Sequence, residues 1–372
     1  MLSGGLDSAS IVALAREIAR QQGTLPLDVF AGVAPENTAS RETRHIMAVI
    51  ETGDFRPHTI SIQELPDLYD EMLANQQTAE EPFDAIMTII SAVNITARRN
   101  GVTALLDGID GDTVIKNPGV AASLWRAGQW RAAFGETLGV GGLVGAYEKR
   151  RSLFFGSLRA AFVPDWMRTI KARAVSRMEK DPLEDTLLNR DFAKDVRISE
   201  RMAEFKSLYE GSQKWSLVQA HQKAIMHPFL AVGVERYERV AAQSSLEARH
   251  PLLDVRLVEF CLGIPWHLKT HRGWTKNIMR LAMQPYLPPS VVWRTDKDHL
   301  GFYFTLNLLK GRSDIYQHVL HDEWRRLCVY IDEKKLRQAC DGYFKEGKQE
   351  SAGPLWEAVS LAFWLRNEIS RK

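Results

Sequence analysis

Ser3-Gly4-Gly5-Leu6-Asp7-Ser8 is the stretch on which the reading of this chain turns. Two adjacent glycines allow the backbone to aim several N–H groups at one anion. A helix starting directly after them adds the positive end of its dipole. Ser3 and Ser8 bring hydroxyl donors suited to phosphate oxygens. Asp7 repels an anion by itself; it makes sense beside phosphates as a holder of Mg²⁺. No Gly-Lys-Ser/Thr tripeptide closes the loop, so it is not of the Walker kind. Its plainer reading is a tight turn with a glycine pair.

Such a turn normally follows a buried strand. Only Met1 and Leu2 precede it, so the first strand is expected in further sequence or from another chain. Downstream, Ile11, Leu14, Ala15 and Ile18 recur at helical spacing, and Gly23 and Pro26 are stop signals. Leu27–Val33 reads as a buried strand, Arg41–Glu51 as a helix capped by Ser40, and His58–Ile62 as a strand. Phe83–Arg99 reads as a helix carrying Ile86, Ile89, Ile90 and Val93 on one face. Val102–Leu106 is a further strand, leading into Asp107-Gly108. This alternation predicts an α/β class with a parallel sheet wrapped by helices. Ligands then belong at the carboxyl ends of the strands. Residues 120–245 and 255–372 read as mostly helical, the latter interrupted by Pro285, Pro288 and Pro289. The expected organisation is an α/β core over 1–119, a helical insertion over 120–245 and a helical part over 246–372 that completes the site.

Composition narrows the function classes. Over 372 residues, 48 basic and 46 acidic side chains leave a net charge of +2. That is too little to hold a nucleic acid by bulk charge. With 45% hydrophobic residues the chain has material for a core and is not disordered. No apolar run is long enough for a transmembrane helix and no signal peptide opens the chain, so neither a membrane nor secretion is expected. Cys261, Cys328 and Cys340 are too scattered for a disulfide framework or structural zinc. A cytoplasmic location is expected. His221 and His227 do not share a helical face as zinc ligands would, and Trp125 and Trp130 read as core anchors. Lys149-Arg150-Arg151 reads as a solvated face. No serine lies in a nucleophile-elbow context.

The opening hexapeptide resembles the pyrophosphate loop of the asparagine synthetase family of ATP-pyrophosphatases. Further segments resemble that family in the same order. They are Glu81-Pro82, then Asp107-Gly108-Ile109-Asp110-Gly111-Asp112, then Glu247-Ala248-Arg249-His250-Pro251-Leu252-Leu253-Asp254. Last comes the series Lys276, Arg280, Leu287-Pro288, Arg294 and Lys297. The resemblance implies a sheet of the adenine nucleotide alpha-hydrolase-like (PP-loop ATPase) type. It also implies ATP-dependent activation of a carboxylate as an acyl-adenylate, followed by attack of an amine. On that basis Asp7 and Asp112 are the implied Mg²⁺ ligands. Ser3, Gly4, Gly5, Ser8 and Lys276 would meet the pyrophosphate, and Leu2, Ala31, Asp107 and Gly108 the nucleotide. Lys297 would stand near the developing oxyanion and Glu247 near the acyl acceptor. Glu247 has a second reading, a buried ion pair with Arg249. Arg249 and Asp254 suit a rigid bend locked by Pro251.

Three departures from the family pattern shape the expectations. Family synthetases usually begin with a glutaminase domain whose nucleophile is an N-terminal cysteine, and here no cysteine precedes Cys261. Ile109 stands where asparagine synthetases carry glutamate. About 135 residues separate Asp112 from Glu247. An asparagine-synthetase-type ligase therefore heads the readings, acting on a small-molecule or peptide carboxylate. A separate glutaminase-like chain or N-terminal domain is its possible partner. The alternatives are a macrolactam synthetase resembling lasso-peptide cyclases, and a non-catalytic fragment or subunit that needs an N-terminal partner.

Overall fold

The computed structural model describes residues 1–34, 40–82, 87–116, 118–139, 147–164, 167, 186–209, 215–295 and 300–370. Strand β1 (Leu27–Val33) runs parallel to β2 (Phe55–Ser61), pairing Leu27 with Phe55 through Val33 with Ser61. Strand β3 (Ala104–Leu106) runs parallel to β4 (Glu247–Arg249). Residues 1–2 lie between the two pairs. The Leu2 N–H donates to the Phe30 carbonyl at 2.8 Å, and the Met1 amino group donates to the Leu106 carbonyl at 2.6 Å. The order across the layer is therefore β2, β1, residues 1–2, β3, β4. The glycine turn leaves this layer beside the carboxyl end of β3.

Helix α1 (Leu6–Gln22) ends on Gly23, whose left-handed φ of 68° only glycine adopts without strain. Its buried face differs from the one the apolar spacing suggests. Leu6, Ala9, Val12, Ala13 and Ala19 are buried, while Leu14 and Ile18 are 41% and 53% exposed. The small alanines let the helix approach β1 closely, and that approach outweighs the larger but worse-placed Leu14 and Ile18. Helix α2 (Arg41–Ile50) is capped by the Ser40 hydroxyl accepting from the Thr43 N–H, as expected. The second strand begins earlier than expected and stops at Ser61, where a 3₁₀ turn (Ile62–Leu68) follows, stapled by the Ser61–Glu64 capping box. Helices α3 (Tyr69–Gln77) and α4 (Thr88–Arg99) precede β3. The start of the expected Phe83–Arg99 helix falls on residues 83–86, outside the described residues. Strand β3 starts at Ala104 rather than Val102.

Among the described residues the helical expectation for the rest holds. After α5 (Gly111–Ile115) come α6 (Val120–Arg126), α7 (Trp130–Leu138) and α8 (Tyr147–Phe162). They are followed by α9 (Arg190–Asp195), α10 (Ile198–Tyr209), α11 (Leu217–Ile225) and α12 (Pro228–Gln243). Beyond β4 lie α13 (Val255–Gly263) and α14 (Trp266–Lys269). A short hairpin of β5 (Thr270–His271) and β6 (Trp274–Thr275), not anticipated from sequence, leads to α15 (Asn277–Met283) and α16 (Pro289–Val292). The chain closes with α17 (Gly301–Gly311), α18 (Ser313–Asp322), α19 (Trp324–Tyr330), α20 (Glu333–Cys340) and α21 (Ala352–Ser370).

The largest core joins Phe30, Leu65 and Met72 of the first third to Phe304, Tyr316, Trp356 and Phe363 of the last. The C-terminal helices thus share apolar contacts with the α/β layer, each fully buried large side chain contributing about 1.5–3 kcal/mol. A second cluster of Leu2, Leu6, Ala9, Val29, Ala31, Ile46 and Val291 lies directly under the glycine turn. In a separate cluster Trp125 is buried and donates its indole N–H to Ser157 at 2.9 Å. Trp130 corrects the sequence reading. It packs edge-on to Trp125 but is itself 57% exposed, because it opens α7 at the rim of the cluster.

Candidate active site

The turn is held in shape from three sides. Gly4 has φ 68°, and a Cβ there would come within 2.7 Å of the Glu42 carbonyl. The Gly4 carbonyl accepts from Arg294 Nη1 at 2.5 Å. Ser8 Oγ accepts from the Ser3 N–H at 3.1 Å, lies 2.9 Å from Ser3 Oγ, and donates to the Gly5 carbonyl at 3.3 Å. The two serine hydroxyls staple the loop to itself. Gly5 opens α1 without a side-chain cap, so no side chain blocks the N–H groups of its first turn.

The second loop is pressed onto the first. A Cβ at Gly108 would sit 2.4 Å from the Ser8 nitrogen, and one at Gly111 would sit 2.5 Å from Asp7 Cγ. No other residue fits either position. Asp110, at φ 57°, turns the chain into α5 and puts Asp112 in its first turn. Asp112 and Asp7 thereby converge on one cation, the Lys276 ammonium. It lies 2.6 and 2.5 Å from the Asp7 oxygens and 3.1 Å from Asp112 Oδ1. Lys276 is buried and sits in the left-handed region at φ 55°, at the start of α15. Burial pushes the Asp7 carboxyl above its ordinary range, and Lys276 opposes that shift.

Arg280, one turn on, donates to the Thr275 and Val292 carbonyls and lies 4.9 Å from the Trp274 ring centroid. Burial lowers its pKa while Asp7 and Asp112 raise it. It fixes the backbone that carries Lys276. Two acidic oxygen donors around a single cation position suit Mg²⁺, which takes one or two protein carboxylates and completes its shell with phosphate oxygens and water. Among the described residues no cluster of at least three His, Cys, Asp or Glu forms an all-protein metal cage.

The other expected residues fall as follows. Leu2 and Ala31 are buried side by side in the sheet, beneath the turn. Asp107 ends β3 with its carboxylate turned inward, accepting from the Ile109 N–H at 3.0 Å and lying 2.9 Å from His250 Nδ1. Glu247 is at the start of β4, on the exposed side, paired with Arg249 at 2.9 Å. The ion pair forms, but in solvent rather than buried, because residues 247 and 249 share the outward face of the strand. Asp254 caps α13 through the Arg256 N–H and is lowered to about 2, first by its bond with the Arg256 side chain. Lys297 lies outside the described residues.

Sequence reasoning passed over His250. Its side chain is 7% exposed and its partner Asp107 5%. Its bond to Asp107 raises its pKa against the opposing effect of burial. Nε2 is buried and has no hydrogen-bond partner among the described residues. His250 ties the end of β4 to the start of the second loop. The available signal was a titratable residue directly before the Pro251 bend.

The asparagine synthase family model matches residues 1–366 of the chain. The chain belongs to the asparagine synthase family. Among its relatives is asparagine synthetase [glutamine-hydrolyzing] 3 of Bacillus subtilis (strain 168), 24% identical over 351 residues. The match covers 91% of this chain and 50% of that protein, so the chain spans half the length of the relative. In this asparagine synthase family member the glycine turn, the Asp107–Asp112 loop and the start of α15 form one continuous structure. No helix among the described residues is long and apolar enough to cross a membrane.

Proposed function

We infer that this chain is an ATP-dependent ligase that forms an amide bond, activating a carboxylate as an acyl-adenylate and releasing pyrophosphate and then AMP. The observation that carries this reading is the convergence of Asp7, Asp112 and Lys276 at the uncapped start of α1. Departure of pyrophosphate requires several negative charges to be stabilised together. Amide N–H groups at the glycine turn and the α1 dipole meet part of that charge. The Lys276 ammonium, carried on a flexible four-carbon stem, would turn from its carboxylates to pair with a departing phosphoryl oxygen. Asp7 and Asp112 would hold Mg²⁺, which when bound neutralises and templates the phosphate oxygens. Gly108, flush against Ser8, leaves the second loop's backbone beside the nucleotide path. The Leu2 and Ala31 backbones belong to the sheet that floors it.

The amine step needs a cation near the acyl oxyanion, and Lys297 is assigned that role from the motif series. Glu247 is assigned to the acyl acceptor, with Arg249 holding its carboxylate below the ordinary range. The amine comes from a small molecule, or as ammonia from a separate glutaminase-like chain or N-terminal domain. The work belongs to the cytoplasm, where ATP and Mg²⁺ are available. Magnesium-dependent release of pyrophosphate from ATP, assayed with aspartate plus ammonia and with candidate carboxylates, tests the reading. Release of ADP and phosphate instead, or no nucleotide binding at the turn, overturns it.

A further inference from the structure

Lys276 reaches its two carboxylates from a backbone conformation that has to be imposed. Its φ of 55° lies in the left-handed region, and it opens α15 without a side-chain cap. A residue with a Cβ keeps that conformation only where its surroundings enforce it. On the C-terminal side the constraint is Arg280, which donates to the Thr275 carbonyl at 2.8 Å and lies over the Trp274 ring. On the N-terminal side the chain arrives through the β5–β6 hairpin. That hairpin has two residue pairs, Thr270 with Thr275 and His271 with Trp274. A ribbon so short has no stability of its own in water.

A side chain from a distant part of the sequence holds it. Glu136, near the end of α7, takes three donors of the hairpin on one carboxylate. Oε1 accepts from the Arg272 N–H at 2.8 Å, and Oε2 accepts from the Gly273 N–H at 3.1 Å and the Thr270 hydroxyl at 2.7 Å. Arg272 and Gly273, at φ 49° and 82°, form the tight two-residue turn between the strands, and both their N–H groups end on Glu136. Bonds to an ionised acceptor are about twice as strong as neutral ones. The end of α7 also lies flush on this turn, since a Cβ at Gly139 would stand 2.4 Å from the Arg272 carbonyl oxygen. One residue before Thr270, the buried Lys269 ammonium lies 3.2 Å from His221 Nδ1 of α11. Helices α7 and α11 both belong to the long stretch between Asp112 and Glu247.

We propose that Glu136 is a positioning residue for the Lys276 ammonium. By pinning the Arg272–Gly273 turn it fixes Thr275, and with it the backbone from which Lys276 reaches Asp7 and a phosphate oxygen. A lysine stem is flexible, so a fixed origin is what confines its ammonium to one place. Resting on the pyrophosphate-releasing reading above, this role gives the helical stretch a part in that chemistry. A remodelled stretch has to keep a carboxylate at this place if Lys276 is to stay in register.

The test measures binding of pyrophosphate, with Mg²⁺ present, to the full chain by calorimetry. It compares the parent, Glu136→Ala, Lys276→Met and the double variant, with the melting temperature of each as the check on folding. Glu136→Ala is expected to weaken pyrophosphate about tenfold. In the Lys276→Met background the same change should stay within about twofold, since the group it positions is gone. A general loosening of the fold would cost the same in both backgrounds. Thr270→Val deletes one of the three bonds and keeps the side chain's shape, so it decides the matter if Glu136→Ala does not fold. Its expected loss is about threefold, again only with Lys276 present. Parent affinity in the folded variants, or equal losses in the two backgrounds, overturns the proposal. The ligase reading then still stands if ATP and a carboxylate yield AMP and pyrophosphate. Lys276-dependent losses in a chain that forms no AMP from any carboxylate uphold the positioning role and remove the ligase reading. A parent that binds no pyrophosphate overturns both.

Discussion

The Lys276 ammonium lies within 2.6 Å of both Asp7 oxygens and 3.1 Å from Asp112, although 269 positions separate Lys276 from Asp7. One buried cation thus ties the first turn of the chain to its last third. Removing either carboxylate should leave Lys276 under-compensated and remove a ligand for Mg²⁺. Asp7→Asn and Asp112→Asn are each expected to lower magnesium-dependent pyrophosphate release by about a hundredfold or more. Unchanged release in both would refute the assignment.

Lys276→Met should separate stability from chemistry. The methionine fills the buried space but leaves Asp7 without its counter-charge, so the carboxyl rises further. Breaking a buried pair from one side costs about 3–5 kcal/mol, here partly relieved by protonation of Asp7. The variant's melting temperature should therefore recover more steeply than the parent's as pH is lowered. Pyrophosphate release should be lost at every pH.

Gly108→Ala tests the contact between the loops. The added methyl meets the Ser8 nitrogen at 2.4 Å, backbone that cannot swing aside. A loss of about 1–3 kcal/mol in stability, together with weakened ATP binding by calorimetry, is expected. Gly119→Ala makes the contrast. A Cβ there meets nothing within 4 Å, although its φ is 73°. It should show backbone strain in stability but spare ATP affinity.

His250 gives the stability a pH dependence of known sign. Its folded pKa is raised by the bond to Asp107, so the pair's contribution is full below the ordinary histidine value of about 6.5. It is lost as pH rises through the raised value. A hydrogen bond to a charged group is worth about 1.5–3 kcal/mol. The difference in melting temperature between the parent and His250→Gln should be largest at pH 6 and shrink toward pH 9. A difference that stays constant across that range contradicts the account.

Lys297→Ala should spare ATP binding and slow the chemical step. If the side chain stabilises the oxyanion, the loss is about 10²–10³ in kcat. Equal losses in binding and turnover would place the lysine on the nucleotide instead.

The existence of β1, β2 and β3, the glycine loops and the motif order were legible because each is local. Leu27–Val33 and the Ser40 cap match the structure residue for residue. The buried face of α1 was not legible. Apolar spacing favours Leu14 and Ile18, yet the sheet selects the alanine face, and only the partner surface decides between them. Glu247 and Arg249 were recognisable as a pair. Their exposure was not, since it depends on which face of β4 is covered by neighbours from elsewhere in the chain. The Asp107–His250 bond and the bonds from Glu136 to the hairpin join residues more than a hundred positions apart. No local pattern encodes such a meeting.

The pairing of β3 with β4 has an evolutionary reading. Ala104 and Glu247 are neighbours in the sheet, so the chain leaves and re-enters at adjoining points. The stretch from the end of α5 to the start of β4 is a cassette whose ends lie close together in the fold. Selection can rebuild that cassette for a new acceptor or donor while the nucleotide grip stays constant. Exchange of this stretch between distant homologues is thus a natural route to new specificities.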